Sequence, residues 1–506
     1  MNLAMLLDLA ADACGARVAL GPRAGGTSFA ALRDRVRLRA AALLERASGG
    51  HRQVAFLGET GPAFVETLFA AAWAGLPFAP LNYRLKATEL RELLDRLGRC
   101  LLVHEPALAG KAAKAAGGRH VLLGSGWLAS TPAGGYPSDP DAPAVLLYTS
   151  GTSATPKAVV LRHRQLFAYA TGTGELGAAG ADQAALMAVP PYHVAGVASA
   201  LSATWAGRRC VHLPSFDPVA WLALARAEAV THAFVVPTML ARIVQALEAG
   251  HPAPPSLALL SYGGAPCPRP VLERAMHAFP ASVGFVNAFG LTETSSTVTV
   301  LGPDDHRAAL ASTDPMVRAR LGSAGRPLPG VEVAVLGEDG RPVPGGATGE
   351  IAVRGPQVSG EYRQAGSTLD ADGWYRTGDV GYLDEGGYLF VIGRRDDLII
   401  RGGENVSPLE VEEALAAHPA VREAAVVGVP DAEWGQRIAA AVVLERQVTN
   451  AELLAWARAR LASYKCPELL VKVDALPRTD MGKLRRRQVA ALLRALESPG
   501  GQASWT

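Results

Sequence analysis

Tyr148-Thr-Ser-Gly-Thr-Ser-Ala-Thr-Pro-Lys157 is a polar loop set between two apolar runs, Ala144 to Leu147 and Ala158 to Leu161. Its hydroxyls and backbone N–H groups are the kind that hold phosphate oxygens, and Lys157 adds a point charge. It is not a Walker loop. Pro156 stands where a second glycine would precede the lysine, and the apolar run that follows has strand rather than helix character. A polar surface hairpin fits the same residues, so the loop gains meaning from its surroundings.

Up to about residue 300, short β-rich runs alternate with longer helical patterns. Val54 to Leu57, Leu101 to Val103, Val121 to Leu123, Val211 to Leu213 and Phe234 to Val236 read as strands, and Pro62 to Trp73 reads as a helix. That alternation predicts α/β layers with mainly parallel sheets. From Gly325 the pattern changes to short strands at Val331 to Leu336, Gly349 to Arg354 and Tyr388 to Ile392, separated by Gly- and Pro-rich turns. This predicts a small β-barrel closing the large domain. A charged run, Gly393 to Asp397, then marks a boundary. Beyond it Ser407 and Glu410 form a capping-box pattern with Pro408 at the first helical position. Strands at Ala424 to Val429, Ile438 to Leu444 and Leu469 to Val473, with a helix from Asn450, complete a small α+β unit. The expected domains are therefore residues 1–395, with layered sheets, helices and the barrel, and residues 396–506.

Composition bounds the function. The chain has 506 residues, 49% of them hydrophobic, and a net charge of +2, so it is long enough for two domains and lacks the basic excess of a nucleic-acid or anionic-membrane binder. The basic run Lys483 to Arg487 reads as a solvated face. Cys14, Cys100, Cys210, Cys267 and Cys466 form no C-x-x-C pair, which suits reduced thiols in a cytoplasmic protein and not a disulfide or zinc site. Met1 to Ala13 carries Asp8 and Asp12 and no basic flank, so it reads as an amphipathic helix and not a signal peptide. No apolar run is long enough to predict a membrane span, and the residues after Glu497 are expected to fray.

Further motifs recur in order. They are Pro190-Pro-Tyr-His-Val-Ala-Gly196, Tyr262-Gly-Gly-Ala-Pro266, Asn287-Ala-Phe-Gly-Leu-Thr-Glu293, Trp374-Tyr-Arg-Thr-Gly-Asp379, Gly393-Arg394 and Pro477-Arg-Thr-Asp-Met-Gly-Lys483. Together with the opening loop they resemble the adenylate-forming superfamily, which includes acyl-CoA synthetases, luciferases and peptide-synthetase adenylation domains. The resemblance runs from about Ser28 to Arg487 and is nearest to the acyl-CoA synthetase branch. It implies that Thr149, Ser150, Gly151, Thr152, Ser153, Ala154 and Lys157 hold the phosphates of ATP. Gly264, Ala265 and Pro266 would form the adenine turn, continued by Asn287, Ala288 and Phe289. Thr292 would reach a phosphate and Glu293 a Mg²⁺ ion. Asp379 and Arg394 would bind the ribose, and Lys483 would be the catalytic lysine.

The implied reaction joins a carboxylic acid to coenzyme A through an acyl-adenylate (acyl-AMP). Bringing a carboxylate to the α-phosphate makes catalysis a matter of neutralising and positioning two anions. The resemblance also implies a C-terminal domain that rotates about Asp396. Rotation would replace the Lys483 loop with Arg401-Gly-Gly-Glu-Asn405, where Gly402 and Gly403 let backbone lie close to the pantetheine arm. His193 would gate the thiol channel. Pocket positions His193, Val194, Ala195, Gly196, Val235, Gly263, Gly264 and Ala288 are mostly small or apolar, which suits a bulky hydrophobic acid without a second charge. A homodimer is compatible with the family.

Two positions depart from the pattern. Ala154 stands where the family has glycine, and Phe289 where tyrosine is common. A methyl group in the phosphate loop would select against the ATP-dependent half-reaction while sparing thioester formation. A separate adenylating partner enzyme would then supply the acyl-adenylate. An enzyme loading a carrier protein is a further alternative, and a luciferase-like oxygenase would need no different core motifs. The neutral stretch Val235 to Met239 lacks the aspartate of amino-acid-activating modules, and the retained Lys483 argues against a mere binding protein.

Overall fold

The computed structural model describes the chain except residues 48, 49, 125, 150–155, 432, 480, 481 and 498–506. Two large sheets carry the N-terminal part. An eight-stranded sheet places Val54–Leu57 between Phe78–Pro80 and Leu101–His104, with Val121–Leu123 at one edge, all parallel. Its other side continues through Pro143–Thr149 to the antiparallel strand Lys157–Arg162 and then Glu361–Tyr362. The strand expected after the polar loop is therefore present and begins at Lys157.

A nine-stranded sheet runs parallel through Gly284–Leu291, Leu259–Gly263, His232–Val235, Ala184–Met187, Arg209–His212 and Val18–Leu20. Helices fill the space between and around the sheets. Pro62–Trp73 starts with proline at its first turn and buries nearly every residue, so its apolar character is all-round and not one-sided. Within it Glu66 is buried and pairs with Arg35 at 2.9 Å and Arg39 at 2.7 Å. The N-terminal helix Ala4–Cys14 is amphipathic as expected: Leu6, Leu7 and Ala10 face the core, while Asp8 and Asp12 pair outward with Arg33.

The small barrel expected after Gly325 takes the form of a four-stranded antiparallel sheet of Glu332–Leu336, Gly349–Arg354, Tyr375–Leu383 and Leu389–Arg394. The C-terminal unit is a three-stranded sheet, Val421–Asp431, Gly435–Leu444 and Leu469–Lys472, packed with the helices Pro408–Ala416, Asn450–Arg458 and Arg486–Glu497. Ser407 caps the first of these, accepting from the Glu410 backbone N–H at 3.4 Å. The capping box stays half-formed because the Glu410 carboxylate pairs with Lys465 at 2.8 Å. Among the described residues no helix is long and apolar enough to cross a membrane, and the five cysteines are free thiols.

Glu361–Tyr362 is short and far in sequence from the strand it joins, so one ion pair has a large share in seating it. Arg162 donates from Nε and Nη2 to the two Glu361 oxygens, each at 2.7 Å, in a partly buried fork. Glu361→Ala is expected to lower the unfolding free energy by about 2 kcal/mol. The readout is the urea midpoint, and an unchanged midpoint would show that the pair is idle.

Candidate functional site

Gly284–Leu291 ends in one turn of 3₁₀ helix, Thr292–Thr294. Thr294 closes the turn by accepting from the Leu291 N–H at 2.9 Å, and Ser295 and Ser296 follow with φ of 56° and 110°. Non-glycine residues in that region store strain, which the surrounding packing must hold. Gly290 is required here, since a Cβ would fall 1.8 Å from the Ser296 carbonyl oxygen. The turn presents Glu293. Its carbonyl accepts from the Ser359 and Gly360 N–H groups at 2.8 and 3.0 Å, and its Oε1 accepts from the Tyr362 hydroxyl at 2.7 Å.

Tyr362 links several groups. Its hydroxyl lies 3.4 Å from that of Tyr375, and the Lys157 ammonium sits 5.6 Å from its ring centroid. Burial first, and the Glu293 charge second, push its phenol pKa up to about 12, so it remains a donor. No motif or spacing in the sequence singles out Tyr362. It reaches the site through a long-range strand pairing with Val159.

Asp379 lies opposite Arg394 in a strand pair, and Arg394 Nε donates to Asp379 Oδ1 at 2.9 Å. Thr377 fixes the local backbone, donating to the Ile351 carbonyl and accepting from the Asp379 N–H. Burial raises the Asp379 pKa, against the opposing pull of Arg394 and Lys483. One carboxylate oxygen is engaged by Arg394, and the carboxylate retains lone pairs for a pair of sugar hydroxyls.

Lys483 arrives from the C-terminal unit. The Thr479 N–H donates to the Lys483 carbonyl and the Gly482 N–H to the Thr479 carbonyl, each at 2.8 Å, while Arg478 clasps the Gly482 carbonyl at 2.7 Å. Gly482 has φ 73° and rests on the Pro237–Glu248 helix, where a Cβ would fall 2.3 Å from Thr238 Oγ1. This brings the lysine within electrostatic reach of Arg394, Asp379, Asp397 and Glu293. Although Lys483 as a residue keeps solvent exposure, the surrounding protein lowers its ammonium pKa. Desolvation is the largest cause and the Arg394 charge the second, while Asp379, Asp397 and Glu293 oppose them.

The remaining candidate residues fall in several places. Ser150, Gly151, Thr152, Ser153 and Ala154 lie outside the described residues, with Thr149 ending one strand and Lys157 opening the next. Gly264, at φ 81°, leads into Ala265 and Pro266, and a Cβ on Gly263 would strike the Ala288 carbonyl. The Asn287 amide donates to the Ser323 carbonyl at 2.9 Å, and Phe289 packs on the neighbouring core. Thr292 shares the turn with Glu293. His193 precedes the Val194–Trp205 helix with its ring 4.6 Å from that of Tyr192. Val194 is half-buried and Gly196 buried.

Val235 is buried in a core cluster. Strand alternation turns it into the opposite core, and its neighbour Phe234 lines a small cavity with Met187, Gly196 and Ser199. Asp396 sits in the turn Arg395–Asp397 between the two units. Gly402 and Gly403 have φ of 58° and 87° at the tip of an exposed hairpin, Ile399–Arg401 with Glu404–Val406.

Among the described residues no cluster of three or more His, Cys, Asp or Glu forms a ready cage for a metal. That suits Mg²⁺, which binds through one or two carboxylates plus substrate phosphates. Glu293 has one oxygen held by Tyr362, and its second fits this role.

Residues 7–363 match the AMP-binding enzyme family and residues 410–483 the AMP-binding enzyme C-terminal domain. A feruloyl-CoA synthase from Amycolatopsis sp is 38% identical, over 92% of this chain and 94% of its own. A fatty acid–acyl-carrier-protein ligase from Streptomyces coeruleorubidus is 35% identical, with 86% of each chain covered. The o-succinylbenzoate CoA synthetase of Bacillus subtilis, solved with its acyl-adenylate intermediate, superposes with a TM-score of 0.84 at 29% identity, over 98% of this chain and 99% of that one.

The surroundings of Lys483 make a measurable statement. Only the neutral amine reacts with acetic anhydride, so competitive labelling against pH should give a Lys483 midpoint below the ordinary lysine range near 10.4. Asp397→Asn removes an opposing charge and should move the midpoint lower still. A midpoint at or above the ordinary value would contradict the geometry.

Proposed function

The chain belongs to the AMP-binding enzyme family, in its acyl-CoA synthetase branch, and from that premise we propose that it activates a bulky, largely hydrophobic carboxylic acid through an acyl-adenylate to its coenzyme A thioester. The single observation that carries the residue roles is the convergence of Lys483 on Asp379, Arg394 and Glu293 from the other domain. That convergence gathers cations and hydrogen-bond donors where a carboxylate has to meet a phosphate.

In the first half-reaction a substrate carboxylate oxygen attacks the α-phosphorus of ATP and pyrophosphate leaves. Lys483 bridges the two anions, Lys157 faces the departing phosphates, and Asp379 accepts from the ribose hydroxyls. Bound at Glu293, Mg²⁺ supplies charge neutralisation for the phosphates. In the second half-reaction the coenzyme A thiolate attacks the carbonyl carbon and AMP leaves. The exposed hairpin with Gly402 and Gly403 lies free of the lysine loop, and a rotation about Asp396 would bring it in, with His193 at the channel between pocket and thiol. Supporting this reading, Lys483 lies within electrostatic reach of Asp379 and Glu293, whereas Gly402 and Gly403 sit in an exposed hairpin.

Ala154 supports a second reading, in which a partner enzyme supplies the adenylate. If that position needs a left-handed backbone, alanine costs about 1–3 kcal/mol. Thioester formation does not use the β- and γ-phosphates and would survive. Loading a carrier protein is a further reading, because one relative's name specifies such an acceptor.

Two assays separate these readings. Lys483→Ala is expected to cut acid-dependent ATP–pyrophosphate exchange by about a hundredfold, while thioester formation from a synthetic acyl-adenylate falls less than tenfold. Equal loss in both assays would remove Lys483 from its adenylation role. If the unaltered enzyme exchanges pyrophosphate as fast as it consumes synthetic adenylate, the partner-enzyme reading fails; exchange gained only on Ala154→Gly would establish it. Coenzyme A and a phosphopantetheinylated carrier protein, offered in turn, identify the acceptor.

A further inference from the structure

The lysine loop keeps its shape without help from the large domain. Arg478 donates to Glu423 Oε2 from Nε at 3.0 Å and from Nη2 at 2.6 Å, and its Nη1 holds the Gly482 carbonyl at 2.7 Å. Thr479 Oγ1 accepts from the Lys483 N–H at 3.1 Å, and Arg478 pairs with Leu484 in a short antiparallel bridge. Every one of these partners belongs to the C-terminal unit. The loop therefore travels as a preformed piece, and the large domain has to set how far it enters.

One stretch of the facing surface does not set that depth. Arg269, Pro270, Glu273 and Arg318 of the large domain and Glu413 and Ala417 of the small unit line an open cavity of about 320 Å³, so space separates the units there. Thr238 is different. A Cβ built on Gly482 would fall 2.3 Å from its Oγ1, 2.7 Å from its Cγ2 and 3.0 Å from its Cβ, so the Gly482 backbone sits flush against that side chain with no space for a methyl group. Thr238 is the second residue of Pro237–Glu248, and the start of this helix lies by the Gly264–Pro266 turn. Val236 precedes the helix, and its Cγ1 is 3.8 Å from where a Gly264 Cβ would stand. A β-branched side chain has few rotamers and does not swing aside as a longer one would. Gly482 adjoins Lys483, so a shift at this contact moves the backbone from which the lysine reaches.

We propose that Thr238 is the stop on which the lysine loop seats, a positioning residue that sets how far Lys483 enters the nucleotide site. The contact exists only while the loop is docked, so Thr238 serves adenylation and has no part in thioester formation, when the loop is withdrawn. The proposal rests on the ligase reading and its two half-reactions. Misplacing a reacting group by about 1 Å can cost a factor of about a hundred in rate, which makes the seat measurable.

The test uses the full-length enzyme and reads two rates in each preparation: acid-dependent ATP–pyrophosphate exchange, and thioester formation from a synthetic acyl-adenylate and coenzyme A. Their ratio is independent of the folded fraction. The reference is the native chain, or Ala154→Gly where only that variant exchanges pyrophosphate. Thr238→Met fills the seat and should lower the ratio of exchange to thioester formation about a hundredfold, while Thr238→Ser keeps most of it. Damage to the acyl pocket would instead lower both rates together. Gly482→Ala should lose exchange through the same clash, and adding Thr238→Ala, which removes the two nearest atoms, should return part of it. Strain from alanine at a φ of 73° stays within the small unit, so that recovery reports relief across the domains. Two rates unchanged or equally lowered in Thr238→Met, or no recovery in the double variant, would overturn the stop and leave the ligase reading standing. No exchange in either reference would overturn the stop together with the ATP-dependent half of that reading.

Discussion

The hydrogen bond from Tyr362 to Glu293 joins the two halves of the large domain at the point where chemistry is needed. Tyr362 belongs to the edge of the eight-stranded sheet, and Glu293 follows a strand of the nine-stranded sheet. At 2.7 Å in a partly buried setting the contact is charge-assisted, and breaking it would leave a carboxylate without its protein partner. Much of the local architecture serves it. The strained turn after Leu291, the backbone bonds from Ser359 and Gly360, and the Arg162–Glu361 fork all fix one partner or the other. Lys157 over the Tyr362 ring then ties the strand that opens there to the same point.

The second constraint is electrostatic and crosses the domains. A carboxylate and a triphosphate repel, so cations must be brought in without permanently closing the cleft. Arg394 is held rigidly against Asp379, whereas Lys483 comes on a loop whose only glycine rests against Thr238. A fixed cation and a delivered one therefore meet around the same carboxylates. Because the lysine belongs to the smaller unit, withdrawing that unit would remove the charge and open the cleft together. In the proposed mechanism this would couple the order of the two half-reactions to one rigid-body motion.

Much of this was legible in sequence. The strand Val54–Leu57 and the helix Pro62–Trp73 announce themselves through apolar runs bounded by glycine and proline, because burial all round leaves little else, and Val121–Leu123 does so although it is an edge strand with Leu122 exposed. The ordered motifs brought Glu293, Asp379, Arg394 and Lys483 together before any coordinates. Tyr362 was invisible, since its role comes from a two-residue strand pairing across about 200 positions. Val235, expected at the pocket, packs into a core cluster, and it is Phe234 that lines the small cavity, because motif position locates a strand end while the pleat decides which face a side chain takes.

The acyl-adenylate route requires that the acid's own oxygen becomes bonded to phosphorus. Incubating the enzyme with ATP, coenzyme A and a productive acid labelled with ¹⁸O in its carboxylate, and analysing the released AMP by mass spectrometry, tests this directly. One labelled oxygen should appear in AMP for each thioester formed, because the carboxylate oxygen that attacks the α-phosphorus leaves with it. Thioester formed with unlabelled AMP, or with label in inorganic phosphate, would contradict the acyl-adenylate route.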